Sequence, residues 1–238
     1  MNTDRFQTTQ VRTREIDEGL RNHMNGIYTK MTAGVLVTAL VAWVVGSSPL
    51  LLNLFLGGPQ SIIVMLAPLG IVMFGFRPDT MKLGTLAIVF FALSAIYGIS
   101  FASIAVMMSA SPEFGVIVAK AFFIASGMFA AVSIIGYTTK VDLTPIRTFA
   151  SMAIWGLIIA GLLNYFIFKS SLMDTGLSMI SIPLFAGITA WQTQDMRRMY
   201  SASTPKEFLQ RYSWAAALTL YISFIAMFMN ILNLMNQR

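Results

Sequence analysis

Few residues of this 238-residue chain are equipped for chemistry. Cysteine is absent, which excludes disulfides, thiolate metal sites and thiol nucleophiles. Histidine occurs once, as His23 in a polar N-terminal stretch, so a multi-histidine metal site cannot be assembled and a Ser-His-Asp triad is not expected. The chain has no glycine-rich loop ending in Lys-Ser/Thr and no His-Glu-x-x-His. No enzymatic activity, cofactor or bound metal is therefore expected, and His23 is expected on the surface. The ten acids avoid the centres of the long apolar runs, with Asp79, Asp142 and Asp195 at one set of ends and Glu113 and Asp174 at the other. Lys120 lies inside an apolar run but only four or five residues from its end, where a long stem lets the ammonium snorkel to the interface. Asn164, Gln192, Ser223 and Asn230 are neutral polar residues in apolar surroundings, where hydrogen bonding between helices is the first expectation.

The elements that position these residues follow from composition. Hydrophobic residues make up 56% of the chain and charged residues 11%, with a mean hydropathy of +0.72. A water-soluble domain carries about 25% charged residues, so this chain cannot cover itself in water and lipid is its natural solvent. A hydrocarbon core of ~30 Å takes about 20 apolar helical residues. Seven runs approach that length: 28–45, 61–76, 83–107, 116–135, 146–168, 175–191 and 213–235. The predicted fold is all-α, a polytopic bundle of seven transmembrane helices. Pro68 and Pro183 interrupt the second and sixth runs and predict kinks whose freed carbonyls a neighbouring helix satisfies. The apolar stretch 50–56 reads equally as an interfacial segment or as an extension of the second span.

Orientation follows from basic residues. With seven spans, one side receives Arg5, Arg12, Arg14, Arg21, Lys30, Arg77, Lys82, Lys140, Arg147, Arg197, Arg198, Lys206 and Arg211, thirteen in all, and the other receives Lys169 and Arg238. Basic loops stay in the cytoplasm, which predicts an N-terminus inside and a C-terminus outside. The net charge of +6 is thereby explained by topology, and no nucleic-acid partner is expected. The polar first 28 residues and the long first run predict an uncleaved anchor rather than a signal peptide. Residues 1–27 form a predicted cytoplasmic segment, with Ile16, Leu20, Met24 and Ile27 at helical spacing, suited to the inner membrane face or to a docked partner. Residues 28–238 form the membrane domain.

Small residues recur every fourth position at Ser94, Gly98 and Ala102, at Ser126 and Ala130, at Gly127 and Ala131, and at Gly156 and Ala160. Such faces allow close helix packing, within one chain or between two copies.

Three stretches resemble the Bax inhibitor family of transmembrane proteins, in particular its bacterial branch. They are Asp17-Glu18-Gly19-Leu20-Arg21 with Met24, Ile27-Tyr28 and Met31; Lys120-Ala121-Phe122-Phe123 through Gly136-Tyr137-Thr138-Thr139-Lys140-Val141-Asp142-Leu143-Thr144; and Ala190-Trp191-Gln192-Thr193-Gln194 with Leu220-Tyr221-Ile222-Ser223-Phe224-Ile225. The resemblance implies six helices around a central seventh, a bacterial inner (plasma) membrane location and a pH-sensitive calcium leak. It also implies an aspartate pair on the sixth and seventh helices that shares a proton at the cytoplasmic mouth, two close carboxylates being unable to ionise together cheaply. Here those positions fall on Gln192 and Ser223, neither of which titrates near neutral pH, although they could hydrogen-bond across the two helices. Asp195, three residues after Gln192, lies on the same helical face and could be a displaced acid. Two functions compete: a calcium or cation leak channel without the usual latch, or a non-conducting regulator, assembly factor or accessory subunit of a larger membrane complex. A membrane-bound ATP-dependent protease is the partner that some relatives suggest.

Overall fold

The computed structural model describes residues 3–201 and 203–237, with side chains from residue 18 onward. The described residues form nine α-helices and no strand: α1 (Thr3–Gly46), α2 (Pro49–Leu56), α3 (Gln60–Gly70), α4 (Leu83–Ser100), α5 (Ala102–Ala110), α6 (Pro112–Thr138), α7 (Thr144–Leu163), α8 (Ser171–Met199) and α9 (Lys206–Asn236). Wider π turns extend α3 over Ile71–Gly75 and α7 over Asn164–Phe168. Six spans long and apolar enough to cross a bilayer result, α4 and α5 together making one of them. The pair α2 and α3, bent by 73° at its break, adds either a broken seventh span or a re-entrant loop. The stretch 50–56 is the first arm of that pair.

α9 is the central helix. In its most apolar window 61% of residues are buried, against 6–28% in the other five long spans. It packs against α1, α4, α6 and α8, while α7 packs on α8 and faces outward. A helix buried on all sides needs apolar residues all round, and α9 supplies them with Leu220, Tyr221, Phe224, Met227 and Ile231.

Helix α1 runs through residue 27 without a break. Leu20, Met24 and Ile27 pack into the main apolar core of the bundle, so from Leu20 onward this stripe is a packing face. Ile16 and Arg14 lie outside the residues whose side chains are described.

The small residues divide into two groups. Ser94, Gly98 and Ala102 are buried on the face of α4 and α5 that packs on α1. A Cβ at Gly98 would stand 2.7 Å from the Thr38 carbonyl. The Thr38 hydroxyl meets the Ser94 carbonyl at 2.9 Å and the Tyr221 hydroxyl of α9 at 2.7 Å. That face is intramolecular. Gly127, Ala131 and Gly156 are exposed.

Pro68 cannot donate to the carbonyl of Val64, and the hydroxyl of Ser100 on α4 donates to it instead, at 3.2 Å. Lys120 is exposed about two turns inside α6, the geometry a snorkelling lysine requires.

Candidate functional site at the α8–α9 turn

The chain reverses between α8 and α9 over residues 200–205, and three connectors gather at that end of the bundle. One is the 139–143 loop between α6 and α7, the signature stretch. Gly136 lets α6 lie against α8, because a Cβ there would come within 2.2 Å of the Ala190 carbonyl oxygen. The carbonyl of Tyr137 accepts from the Arg197 guanidinium, which also lies 5.7 Å over the Tyr137 ring. Thr138 ends α6 by bonding back to the Ile134 carbonyl, and Thr139 Oγ1 accepts from the Val141 N–H. Lys140 is exposed. Asp142 accepts from the N–H and hydroxyl of Thr144 at the start of α7 and from Arg198 of α8 at 2.7 Å. The Arg198 guanidinium, with Thr144, holds the Asp142 carboxyl down at about 2.

Gln194 completes this attachment. Its side-chain amide donates to the Val141 carbonyl at 2.7 Å and accepts from the Leu143 N–H at 3.0 Å, so one buried residue satisfies both polarities of the loop backbone. The 77–82 connector is tied in the same way by Arg211 of α9, which donates to the carbonyls of Pro78 and Met81 and pairs with Glu207.

Between these attachments lies the cluster of interest. Gln192 is buried and donates to the Tyr212 hydroxyl at 3.4 Å, a long bond. Tyr212 donates in turn to Asp195 Oδ2 at 2.6 Å. Ser223 is buried on α9, and among the described hydrogen bonds none joins it to Gln192. The two latch-equivalent positions therefore do not pair, and Asp195 takes a phenol as its partner. His23, expected on the surface, is half-buried: its ring lies 5.7 Å from that of Tyr200 and 6.2 Å from that of Tyr212, with Nε2 buried and unpartnered. Nearby, Lys30 donates to the Ser213 hydroxyl at 2.7 Å and lies 5.1 Å from the Trp214 ring. Among the described residues no group of three His, Cys, Asp or Glu side chains could hold a metal ion.

Tyr212, His23 and Lys30 escape a reading of the sequence for function, because a tyrosine does not titrate near neutral pH and the other two fall in or beside what reads as a polar lead-in. The pairing of a tyrosine six residues into α9 with an acid near the end of α8 is available only once the hairpin is built.

Residues 20–238 match the model of the family described as inhibitor of apoptosis-promoting Bax1. This chain belongs to the Bax inhibitor family. Three of its relatives match it over more than nine-tenths of its length. The protein RP147 of Rickettsia prowazekii is 35% identical over 97% of this chain and 96% of its own length. A Deinococcus radiodurans protein is 33% identical over 98% and 97%. The inner membrane protein YbhL of Escherichia coli is 31% identical over 92% and 93%. With six or seven spans, this Bax inhibitor family member is an integral protein of a bacterial inner membrane. For the family signature from Gly136 to Asp142, the geometry gives a mechanical reason: it closes α6 onto α8 and fastens the following loop there.

Proposed function

We propose that this Bax inhibitor family protein is a cation leak pathway, with calcium ions as the permeant class, held nearly closed at the α8–α9 end. The observation that carries this reading is the Asp195 carboxylate, one turn from Gln192 and bonded to Tyr212 of the facing helix. An acid is thus retained at the mouth, displaced along α8 and bridged to α9 by a phenol. Gln192 and Ser223 carry no group that titrates near neutral pH, so flux should be low and should change little between pH 6 and 8. The thirteen-to-two distribution of basic residues supports placing this end in the cytoplasm, with the N-terminus inside and the C-terminus outside.

The test is calcium entry into dye-loaded liposomes. Wild type should give slow flux with a flat pH response, and the double variant Gln192→Asp, Ser223→Asp should acquire a pH dependence. If both leave vesicles tight at every pH from 6 to 8, the leak reading is overturned.

A second reading is favoured by the packing around α9, where Tyr221 touches Phe90 and Tyr97 and the Phe224 ring meets Phe129 and Phe122. An interior plugged by aromatic rings suits a non-conducting regulator or accessory subunit of a larger membrane complex, such as a membrane protease. Purification in gentle detergent at native expression would then yield a stable complex. Migration solely as a free monomer would remove this reading.

A further inference from the structure

The space between α1 and α6 is open along most of their length. α1 packs on α4, α5 and α9, and α6 packs on α5, α8 and α9, leaving two adjoining cavities of about 590 and 620 Å³ with α9 as their floor. Val35, Phe122 and Phe224 belong to the walls of both, so the two lie end to end along the α1–α6 cleft. The spans that flank it are apolar, and the cleft opens sideways toward lipid.

Its chemistry changes along its length in a definite order. At the α8–α9 end Tyr137 lines the cleft, and the Arg197 guanidinium, bonded to the Tyr137 carbonyl, lies over its ring beside the mouth rather than among the lining residues. Among the described residues the ion pairs are Arg198–Asp142 and Arg211–Glu207, so Arg197 has no carboxylate partner there. Four residues deeper on α6, about 6 Å at 1.5 Å per residue, comes Ser133. The Tyr28 hydroxyl, 3.3 Å from Thr193 Oγ1, also lines this level. Beyond it the walls are mainly apolar, interrupted by Thr32 and Ser126, down to Phe122, roughly 22 Å from Tyr137.

Ser133 indicates an occupant. It is 8% exposed, lines the cavity, and its buried Oγ has no hydrogen-bond partner. Helical hydroxyls normally have a partner in reach in the carbonyl four residues earlier, and in this chain Ser94, Thr138 and Thr193 use it. Ser133 does not, and a buried hydroxyl left unpaired is unfavourable unless something else meets it.

We propose that the α1–α6 cleft binds one anionic glycerophospholipid of the bilayer, with its phosphate at Arg197, its ester region at Ser133 and an acyl chain along the apolar walls. A cation beside the mouth, then a hydroxyl one turn deeper, then a mainly apolar trough follows the order of groups in such a lipid. A water-filled ion route would need polar groups throughout, and the deeper cavity has only Thr38 and Ser109 among side chains such as Ala42, Phe101, Ile104 and Phe228.

The test uses the full chain in phosphatidylcholine vesicles doped with phosphatidylglycerol carrying a diazirine on its acyl chain. After illumination, crosslinks are mapped by peptide mass spectrometry. Crosslinks on the cleft-lining parts of α1 and α6 should exceed those on the outward face of α7, around Met152, Trp155 and Ile159, at least fivefold. Ala130→Trp, at an exposed position on the cleft wall, should reduce cleft labelling at least fivefold and leave α7 labelling unchanged. Arg197→Gln should bring the preference for phosphatidylglycerol over a phosphatidylcholine probe close to one. Equal labelling of cleft and α7 would mean ordinary boundary lipid and would overturn the proposal. So would cleft labelling that Ala130→Trp leaves intact, or crosslinks to a second copy of the chain in place of the probe.

Discussion

Tyr212 of α9 donates its hydroxyl proton to the Asp195 carboxylate of α8 at 2.6 Å, and Gln192 donates to the same hydroxyl from the turn before. One phenol thus joins the two helices that meet at the α8–α9 turn. A bond from a neutral donor to a carboxylate contributes about 1.5–3 kcal/mol when partly shielded from water.

Tyr212→Phe removes that bridge and preserves the ring stacked near His23 and Phe208. A fall of several degrees in the thermal midpoint in detergent is expected, together with at least a twofold rise in calcium leak through liposomes. An unchanged midpoint and an unchanged leak would show that the bridge neither stabilises nor closes this end.

Gly136→Ala forces a Cβ into the Ala190 backbone, which has no flexible end to move aside. Overpacking of this kind costs about 1–3 kcal/mol. Gly127→Ala, on the same helix with nothing within 4 Å of the added atom, is the control and should be neutral or slightly stabilising. Thermal melts of the two variants side by side check this.

The Asp142–Arg198 pair carries a pH prediction with a definite sign. The folded carboxyl is depressed to about 2 from an ordinary 3.8. Its contribution is therefore present above pH 3.8 and fades as the pH falls through about 2. Asp142→Asn should melt below wild type at pH 7 by the same margin as at pH 5, and the margin should shrink only below pH 4. A difference that varied between pH 5 and 8 would contradict this.

The absence of cysteine makes the orientation directly measurable. Single variants Lys140→Cys and Gln237→Cys should react oppositely with a membrane-impermeant maleimide added to intact cells, the second being labelled and the first protected. Labelling of Lys140→Cys alone would invert the topology.

The bundle was legible in the chain because lipid imposes a simple rule: backbone polar groups must be satisfied within a segment, so every long apolar run has to be a helix. The same rule made the carbonyl freed by Pro68 readable. Pro68 must free a carbonyl wherever it sits in a span, and something must answer it. That Ser100 answers is a matter of packing. The 73° break between α2 and α3 was less visible, since apolar composition is the same on both sides of it.

The site divides along the same line. Residue types alone set aside triads, thiolates and clustered histidines, and the signature from Gly136 to Asp142 marked where α6 must turn. Its purpose needed the fold. Gly136 matters through Ala190, fifty-four residues away, and the 139–143 loop is fastened by Gln194, whose amide reads as one more polar residue in an apolar run. Gln192 and Ser223 could be matched on paper, but hydrogen-bond geometry chose Tyr212 for Gln192. It also assigned Asp195 a partner that no spacing along a single helix could reveal. Periodicity and hydropathy are local properties, so the sequence alone determined the helices and their solvent. Which side chains meet across antiparallel helices depends on rotation and offset between segments far apart in the chain, and only the tertiary structure decided that.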